Sequence, residues 1–387
     1  MAQREFDIVI HGATGFTGRL VAEYLVQHYG SDGPRRPPRW AMSGRNAAKL
    51  AAVRDEIGAP ADLPLIVADA ADPASLAAMA ARTRVVLTTV GPYTLYGEPL
   101  VAACIAAGTD YADLCGEPLW MRAMIDAHEA AAKASGARIC FSSGFDSIPF
   151  DLAVTLLQDE CIARFGAPAP RVKGRVRAMK GGFSGGTAAS LKATMATIGR
   201  DPALLGRMVD PFALTPGFAG PEQPRGDAVA FDEATGSWSA PFIMAAINTK
   251  NVHRTNHLLG HKWGRDFVYD EVLLTGPGDA GEAAARMVAG TKMIGTANDP
   301  QPGEGPSKEE RDSGFYDVLA IAEYPDGRSL RYGVKGRYDP GYGSTSRMIA
   351  ETGIALLSCT GPGGIWTPGA LLGQALADRL AAHAEIT

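Results

Sequence analysis

The sequence predicts an α/β protein whose N-terminal half forms a doubly wound parallel sheet and whose C-terminal half is an α+β domain built on a mixed sheet. Three observations support this fold class. A glycine-rich turn directly follows the first apolar run, short apolar runs alternate with helical stretches up to about residue 150, and this alternation ends beyond that point. At 387 residues the chain is long enough for two domains.

The N-terminal half alternates strands with helices. Strands are expected at residues 6–10, 40–43, 65–68, 85–90, 111–114 and 138–141, and helices at 19–29, 47–57, 73–81, 100–107 and 120–135. Such an alternation is typical of a parallel sheet covered by helices on both faces. We therefore assign residues 1–150 to a first domain.

The pattern changes after residue 150. A long helix is expected at 151–165, and a half-exposed strand at 172–179, where apolar and basic residues alternate. Later strands are expected at 267–275, 314–324 and 329–338, helices at 191–199, 280–294 and 345–357, and a Pro/Gly-rich loop at 210–236. We assign residues 151–345 to a substrate or dimerisation domain.

The run Gly12-Ala13-Thr14-Gly15-Phe16-Thr17-Gly18 predicts a dinucleotide-binding Rossmann turn between the first strand and the first helix. Gly12 allows the tight turn, Gly15 lets backbone amides approach a pyrophosphate, and Gly18 lets the helix pack closely on the strand. The helix N-terminus then presents unpaired N–H groups and a partial positive charge to the phosphates. The remaining candidate contacts in this turn are Thr14, Phe16 and Thr17.

The residues after the second strand favour NADP(H) over NAD(H). NAD-specific units place a carboxylate there, which accepts from the ribose 2′-hydroxyl, whereas this chain has Ser43-Gly44-Arg45-Asn46. The guanidinium of Arg45 suits a 2′-phosphate, and Ser43 and Lys49 are further candidate contacts. A solvated surface arginine is the alternative interpretation.

Further candidate cofactor contacts follow the later strands. Asp69 is placed either to accept from the adenine amino group or to cap the next helix. The segment Val90-Gly91-Pro92-Tyr93 follows the fourth strand, where the nicotinamide ribose passes and Gly91 permits close backbone approach. Gly116 is expected in a wall of the cofactor site, and Glu117 either lies there or caps the helix at Trp120.

Five more segments follow the glycine-rich turn in order. They are Val90-Gly91-Pro92-Tyr93, Tyr111-x-Asp113-x-x-Gly116-Glu117, Gly144-Phe145-Asp146-Ser147-Ile148-Pro149-x-Asp151, Ser184-Gly185-Gly186-Thr187-x-x-Ser190 and Gly364-Ile365-Trp366-Thr367-Pro368. Together with the turn they resemble the saccharopine dehydrogenase-like oxidoreductases, and among these the branch of trans-acting enoyl reductases in mycobacterial lipid synthesis.

The resemblance implies an NADP(H)-binding domain, an α+β domain around a mixed sheet, a substrate cleft between them, and C-terminal helices at 346–387 that return to the first domain. It also implies a homodimer formed through the second sheet. It leaves the reaction open. Saccharopine reductases need cations to hold several carboxylates, and the candidates here are Arg171, Arg175 and Arg177. The lipid branch reduces acyl intermediates, which the uncharged stretch from Thr352 to Ala377 fits better.

We therefore predict an NADP(H)-dependent oxidoreductase that reduces an enoyl or carbonyl group of a lipid-like or polyketide-like small molecule or acyl substrate. The alternatives are an amino-acid oxidoreductase acting on a C–N bond and a non-catalytic dinucleotide-binding scaffold. Hydride transfer needs an acid near the atom that gains negative charge. The candidate catalytic acids are Asp146, provided that burial raises its pKa, and Tyr93; a helix cap and simple packing are the respective alternatives.

Candidate substrate contacts are Ser147 and a second glycine-rich turn at residues 181–187. Gly185 and Thr187 lie in this turn, whose backbone N–H groups suit an oxyanion or a carboxylate. Neighbouring Lys180 is a candidate for orienting an acyl group. A hinge between the domains is the alternative interpretation of the turn.

Composition limits the partners and the location. A net charge of −5 argues against general nucleic-acid binding. Five scattered cysteines without a C-x-x-C pair indicate a reduced protein, and no secretory signal is recognised, so a cytoplasmic location is expected. The uncharged stretch 352–377 is expected to form a buried helix, a turn and a second helix; contact with a membrane surface is the alternative.

Three histidines recur every four residues, at His253, His257 and His261. On a helix they would share one face, as metal ligands do, but no carboxylate precedes them nearby, and so no metal is predicted. We predict instead a solvated basic face that suits an acidic partner such as an acyl carrier protein. The cations of this face are Lys250, Arg254, Lys262 and Arg265.

Overall fold

The computed structural model describes residues 4–30, 37–182, 184–291, 300–301 and 303–387. Phe183 of the second glycine-rich turn and residues 292–294 of the helix predicted at 280–294 lie outside the described residues. The strands in chain order are β1 Phe6–His11, β2 Trp40–Gly44, β3 Leu65–Val67, β4 Thr83–Thr88, β5 Asp110–Ala112, β6 Arg138–Cys140, β7 Arg171–Lys180, β8 Ala230–Asp232, β9 Ser237–Pro241, β10 Val268–Gly276, β11 Phe315–Glu323, β12 Ser329–Gly336, β13 Gly364–Trp366 and β14 Ala384–Ile386.

The helices surround these strands, and a single π-helical turn at Pro340–Ser344 precedes α13. In chain order they are α1 Phe16–Tyr29, α2 Ala47–Glu56, α3 Pro73–Ala81, α4 Tyr93–Tyr96, α5 Glu98–Ala107, α6 Pro118–Ser135, α7 Ile148–Phe165, α8 Gly185–Arg200, α9 Leu204–Val209, α10 Ala245–Leu258, α11 Gly278–Gly290, α12 Lys308–Asp312, α13 Thr345–Ser358, α14 Pro368–Leu371 and α15 Gly373–Leu380.

The first sheet is parallel throughout, with the strand order β13-β6-β5-β4-β1-β2-β3. Alternate residues of β1 point to opposite faces: Ile8 and Ile10 join an apolar cluster with α1 and α13, and Val9 joins another with α3, α5 and α6. Both faces are therefore covered by helices. This arrangement confirms the predicted doubly wound sheet.

The second sheet is mixed, as predicted, with the order β14-β12-β11-β7-β10-β9-β8. Strands β7 and β10 pair parallel, and the other neighbours pair antiparallel. Helix α7 packs on this sheet near β11 and β12. The strands predicted from alternation correspond to β7, β10, β11 and β12. Strand β8 lies inside the predicted loop 210–236, because its three residues are too few to give a periodic signal.

The uncharged stretch 352–377 was predicted to form a helix, a turn and a second helix, and the structure has one strand in addition. Between α13 and α14 lies β13, which pairs with β6 and adds an edge to the first sheet. A side chain at Gly363 would overlap the carbonyl oxygen of Ala132 at the end of α6, so the glycines here allow close packing. Strand β14 then pairs with β12 of the second sheet, so the C-terminal segment contacts both sheets. The proposed domain limits stay a prediction. Among the described residues, every helix is too short or too polar to cross a bilayer.

The predicted solvated basic face is wrong for its N-terminal part. Lys250, His253 and Arg254 are buried in α10, because the loop that follows α9 covers them. Within this loop the ring of Phe212 lies 4.5 Å from that of His253, and the carbonyl oxygen of Leu214 accepts from Arg254 at 2.8 Å. Among the described residues, no group of three histidine, cysteine, aspartate or glutamate side chains is arranged to hold a metal ion.

Candidate functional site

The glycine-rich turn between β1 and α1 has the geometry of a phosphate cradle. Gly12 has a positive φ of 90°, and a Cβ there would lie 2.7 Å from Cγ2 of Val90. Gly15 is the N-cap of α1 and has no side chain to bond the first N–H groups, and the first turn of α1 holds no acidic residue. These N–H groups are therefore available to an anion, and the residues present fit a dinucleotide pyrophosphate.

A methyl group at Gly18 tests this cradle. Its Cβ would overlap the carbonyl oxygen of Gly12 and lie 2.8 Å from Oγ1 of Thr89. We expect Gly18→Ala to raise the Kd for NADPH by about tenfold or more, since overpacking costs about 1–3 kcal/mol. Fluorescence titration measures this. Gly290→Ala is the matched control, because a Cβ at the end of α11 meets no atom of the described residues within 4 Å. Unchanged affinity of Gly18→Ala would contradict the assignment.

The carboxyl end of β2 carries the candidate contacts to a 2′-phosphate. Ser43 is buried, and its Oγ lies 3.2 Å from Nδ1 of His11. Burial lowers the pKa of His11 to about 4, so this imidazole is neutral at neutral pH. Arg45 and Lys49 are exposed, and Asn46 caps α2 by accepting from the backbone N–H of Lys49 at 2.9 Å. The two cations therefore stay open to solvent, as a 2′-phosphate contact requires.

Asp69 does not cap the following helix, so that alternative is wrong. The cap of α3 is Asp72, whose Oδ1 accepts from the backbone N–H of Ala74 at 3.0 Å. Asp69 instead accepts from the N–H of Ala71 at 3.0 Å and closes a tight turn after β3. Its contact with adenine stays a prediction.

A cavity of about 250 Å³ lies where the carboxyl ends of the first sheet meet elements of the second half of the chain. From the first sheet and its loops come Thr17, Thr89, Gly91, Tyr93, Leu114, Gly116, Glu117, Pro118, Ser142, Gly144 and Asp146; later segments add Ser184, Gly186, Thr187, Ser190, Leu191, Thr194, Met208, Ile243, Met244, Ala246, Ile247, Gly341, Tyr342 and Thr345. The carboxyl edge of a doubly wound sheet is where such folds bind ligands. The cavity is therefore the candidate active site.

The two candidate proton donors and the dinucleotide turn converge on this cavity, but three predicted substrate contacts do not line it. Ser147 is buried beside α10, where its Oγ accepts from the side-chain amide of Asn251. Lys180 is exposed at the end of β7, and its Nζ donates to Ser313 Oγ at 3.0 Å. Gly185 begins α8 and bonds the carbonyl oxygen of Glu304 at 3.3 Å. Thr187, one turn further on, does line the cavity.

The cavity lining contains no lysine, arginine or histidine among the described residues, but it contains two carboxylates, Glu117 and Asp146. The arginines considered for a carboxylate clamp are paired elsewhere on the second sheet. Arg171 and Arg175 both pair with Asp270, and Arg177 pairs with Asp317 at 2.6 Å. The described part of the lining therefore offers no cationic group to a substrate with several carboxylates.

Tyr93 lines the cavity, but its hydroxyl is held by backbone groups. It donates to the carbonyl oxygen of Thr88 at 3.3 Å and accepts from the N–H of Leu114 at 3.1 Å. Burial raises its pKa well above the usual value.

The carboxylate of Glu117 accepts from the backbone N–H groups of Tyr93 and Thr94 at 2.9 and 2.8 Å, so it caps α4 rather than the helix at Trp120. These contacts tie the loop after β4 to the loop after β5.

Asp146 lies near the end of the loop between β6 and α7 and lines the cavity. The alternative role of Asp146 as the cap of α7 is wrong, because Ser147 occupies the N-cap position and no side-chain hydrogen bond caps the helix there. Burial raises the pKa of Asp146 from 3.8 to about 6. Within the described part of the chain, no hydrogen bond holds its carboxylate. It is thus a titratable group that is free to meet a ligand.

Sequence reasoning missed most of the lining from the second half of the chain, and among the polar residues it missed Ser142 and Tyr342. Ser142 follows β6 with a left-handed φ of 56°, and its N–H donates to Asp113 Oδ1 at 2.9 Å. Tyr342 lies in the π-helical turn, where the carboxylate of Asp339 accepts from its N–H at 3.0 Å. No short motif surrounds either residue, and a positive φ at a serine is not visible in a sequence.

Three kinds of comparison with known proteins agree: with family models, with protein sequences and with solved structures. Residues 8–140 match the family model described as the saccharopine dehydrogenase NADP binding domain. A Mycobacterium tuberculosis protein provisionally named trans-acting enoyl reductase is 41% identical, over 98% of this chain and 96% of its own. The trans-acting enoyl reductase of Mycobacterium bovis is 38% identical over the same shares. In structure the chain is similar to apo saccharopine dehydrogenase (L-Glu forming) from Saccharomyces cerevisiae, with a TM-score of 0.57, 12% identity and 99% of both chains covered; this likeness concerns the fold alone.

Proposed function

This chain belongs to the saccharopine dehydrogenase-like oxidoreductases and uses NADP(H), and we propose that it reduces an enoyl or carbonyl group of a lipid-like or polyketide-like acyl substrate. The names of its mycobacterial relatives support an enoyl group. The amino-acid oxidoreductase acting on a C–N bond and the non-catalytic scaffold are the competing functions.

The observation that carries the proposal is the lining of the cavity. Leu191, Met208, Ile243 and Ile247 supply apolar surface, and the charged side chains are acidic. A buried carboxylate without a cationic partner costs several kcal/mol, so a substrate with several carboxylates is disfavoured. A neutral acyl thioester meets no such penalty.

The apolar lining continues onto the surface. Leu205 and Val209 on α9 are exposed beside cavity-lining Met208, and Met195 on α8 is exposed as well. These side chains support contact with the remainder of an acyl chain or with a lipid surface. Homodimer formation stays a proposal. Delivery of the substrate by an acyl carrier protein also stays a proposal, but the cations of α10 no longer support it because they are buried.

The bound nicotinamide supplies a hydride, and the chain has to place the acceptor carbon beside it and provide one proton. The cradle at Gly12–Gly18 and the exposed Arg45 hold the phosphate end, while Gly91 and Gly116 keep backbone close to the cavity. Asp146 is proposed to deliver the proton, because its carboxyl faces the cavity and its raised pKa keeps part of it protonated near neutral pH.

This role gives the reaction a defined pH dependence. A proton donor works only in its protonated form, so the rate of the reduction step should fall as the pH rises through about 6, the pKa of Asp146. Asp146→Asn should lower that rate by about 10²- to 10⁴-fold and remove the decline. Single-turnover measurements across pH test this, with Asp279→Asn in the first turn of α11 as the control. An unchanged pH profile in Asp146→Asn would remove Asp146 from the mechanism.

A binding experiment tests the substrate class without turnover. We expect a hexadienoyl thioester of N-acetylcysteamine to raise the melting temperature of the protein with NADP⁺ bound, because binding to the native state stabilises it. Under the same conditions 2-oxoglutarate should give no shift. Stabilisation by 2-oxoglutarate alone would favour the amino-acid oxidoreductase.

A further inference from the structure

Tyr342 lines the cavity from the second half of the chain. The ring is 4% exposed and packs edge-on against Phe16 of the dinucleotide turn, with the ring centroids 5.1 Å apart. The main chain around it is fixed, because both oxygens of Asp339 accept backbone N–H groups of the π-helical turn, from Tyr342 and Gly343. This side chain is therefore positioned rigidly between the cofactor turn and the substrate space.

A backbone N–H group and a hydroxyl group contact the phenolic oxygen of Tyr342. The backbone N–H of Ser184 donates to it, and Oγ1 of Thr187 lies 3.0 Å away. When Thr187 donates, both acceptor sites of the phenolic oxygen are filled and its own hydrogen remains unused. Within the described residues, Thr187 is the one side chain that offers an alternative acceptor for that hydrogen. Because Tyr342 and both of these partners line the cavity, a ligand there can accept the unused hydrogen.

We propose that Tyr342 is a catalytic residue that donates a hydrogen bond to the carbonyl oxygen of the acyl substrate, with Ser184 and Thr187 as the groups that orient it. The inference rests on the proposed function and extends it. Donors that already point at the phenolic oxygen strengthen the hydrogen bond that it gives, because linked hydrogen bonds polarise one another. Burial raises the pKa of Tyr342 above its usual value, so Tyr342 stays neutral and keeps its proton.

Tyr342 and Asp146 then have separate roles in the reduction of an enoyl thioester. Bound NADPH would supply a hydride to the β-carbon; the carbon–carbon double bond would then lie between the α-carbon and the carbonyl carbon, and the carbonyl oxygen would gain negative charge. Tyr342 stabilises that oxygen without giving up its proton, and the carboxyl of Asp146 supplies the proton that completes the α-carbon. Asp146 recovers its proton from solvent, so the products are a saturated thioester and NADP⁺.

The test measures carbonyl polarisation in the absence of cofactor. A hexadienoyl thioester of N-acetylcysteamine bound to the cofactor-free protein should absorb at longer wavelength than in water, because a hydrogen bond at the carbonyl oxygen polarises the conjugated system. Tyr342→Phe should abolish this shift and lower kcat about 10²- to 10³-fold, with NADPH affinity retained as evidence of folding. Thr187→Val should lower kcat about tenfold, the value of one hydrogen bond, and Thr187→Ser should restore it.

The matched control is Tyr324→Phe, whose hydroxyl donates to the carbonyl oxygen of Ala167 away from the cavity; it should keep both the absorption shift and the rate. If Tyr342→Phe keeps the shift and the rate while wild-type protein reduces the thioester, the role of Tyr342 is wrong and the proposed function stands. If wild-type protein neither binds nor reduces the thioester, the proposed function fails, and the inference fails with it.

Discussion

Arg45→Asp should reverse the cofactor preference of this oxidoreductase. Arg45 is exposed at the carboxyl end of β2, and no carboxylate occurs between Ser43 and Lys49. An arginine fork binds a phosphate by charge-assisted hydrogen bonds. An aspartate would repel the 2′-phosphate of NADPH and accept from the ribose hydroxyls of NADH. We expect the Kd for NADPH to rise about 100-fold or more, since the attraction and its hydrogen bonds are replaced by repulsion.

Fluorescence titrations with both cofactors at low salt measure this effect, because screening weakens contacts between exposed charges. Arg225→Asp is the control, since its side chain is 81% exposed in a loop and pairs only loosely with Asp227. It makes the same change in net charge and should leave both affinities unaltered. Retention of NADPH preference in Arg45→Asp would mean that another group holds the 2′-phosphate.

The largest effect on stability is expected from Glu351→Ala. Glu351 is fully buried in α13, where its Oε1 accepts from Tyr24 at 2.6 Å and from Tyr29 at 2.7 Å, and its Oε2 accepts from Arg379 at 2.8 Å. These contacts join α1 of the first sheet to the C-terminal α15. Breaking such a buried pair costs about 3–5 kcal/mol, because Arg379 and the two tyrosine hydroxyls lose their hydrogen bonds to Glu351.

Urea denaturation of Glu351→Ala measures this loss as a lower free energy of unfolding. Glu351→Gln should lose less, because the amide oxygen still accepts one of the hydrogen bonds. Glu233→Ala, at an exposed position in the turn between β8 and β9, should change the stability little. A loss below about 1 kcal/mol for Glu351→Ala would show that this network contributes little to the docking of α15.

The parts of the fold that the sequence predicted well are those in which a local pattern decides the structure. In the first turn, Gly12 needs a positive φ and Gly18 lies against the carbonyl of Gly12, so the spacing of glycines is itself a structural requirement. In β7 the alternation of apolar and basic residues predicted the strand itself, since successive side chains point to opposite faces, but Arg175 is buried because it pairs with Asp232 and Asp270.

The sequence was less informative where distant segments meet. Lys250 and Arg254 suggested a solvated face, but a loop some 40 residues away covers them, as the contact between Arg254 and Leu214 shows. Tyr342 joins the cavity only because the chain returns to the first sheet after β12. Of the two alternatives for Glu117, a cofactor-site wall or a cap of the helix at Trp120, its side chain follows neither local pattern alone: it lines the cavity and caps α4. Each of these contacts depends on tertiary packing, which no local pattern encodes.

The measurement that tests the central claim most directly is NADPH oxidation by the full chain, with an enoyl thioester in one reaction and a 2-oxo acid plus an amine in the other. Our account predicts loss of NADPH absorbance with the thioester, formation of the saturated thioester, and no turnover with the oxo acid and amine. Turnover with the oxo acid and amine alone would contradict the proposed substrate class. Absence of turnover with either, while NADPH binding is intact, would contradict the proposed enzymatic activity itself.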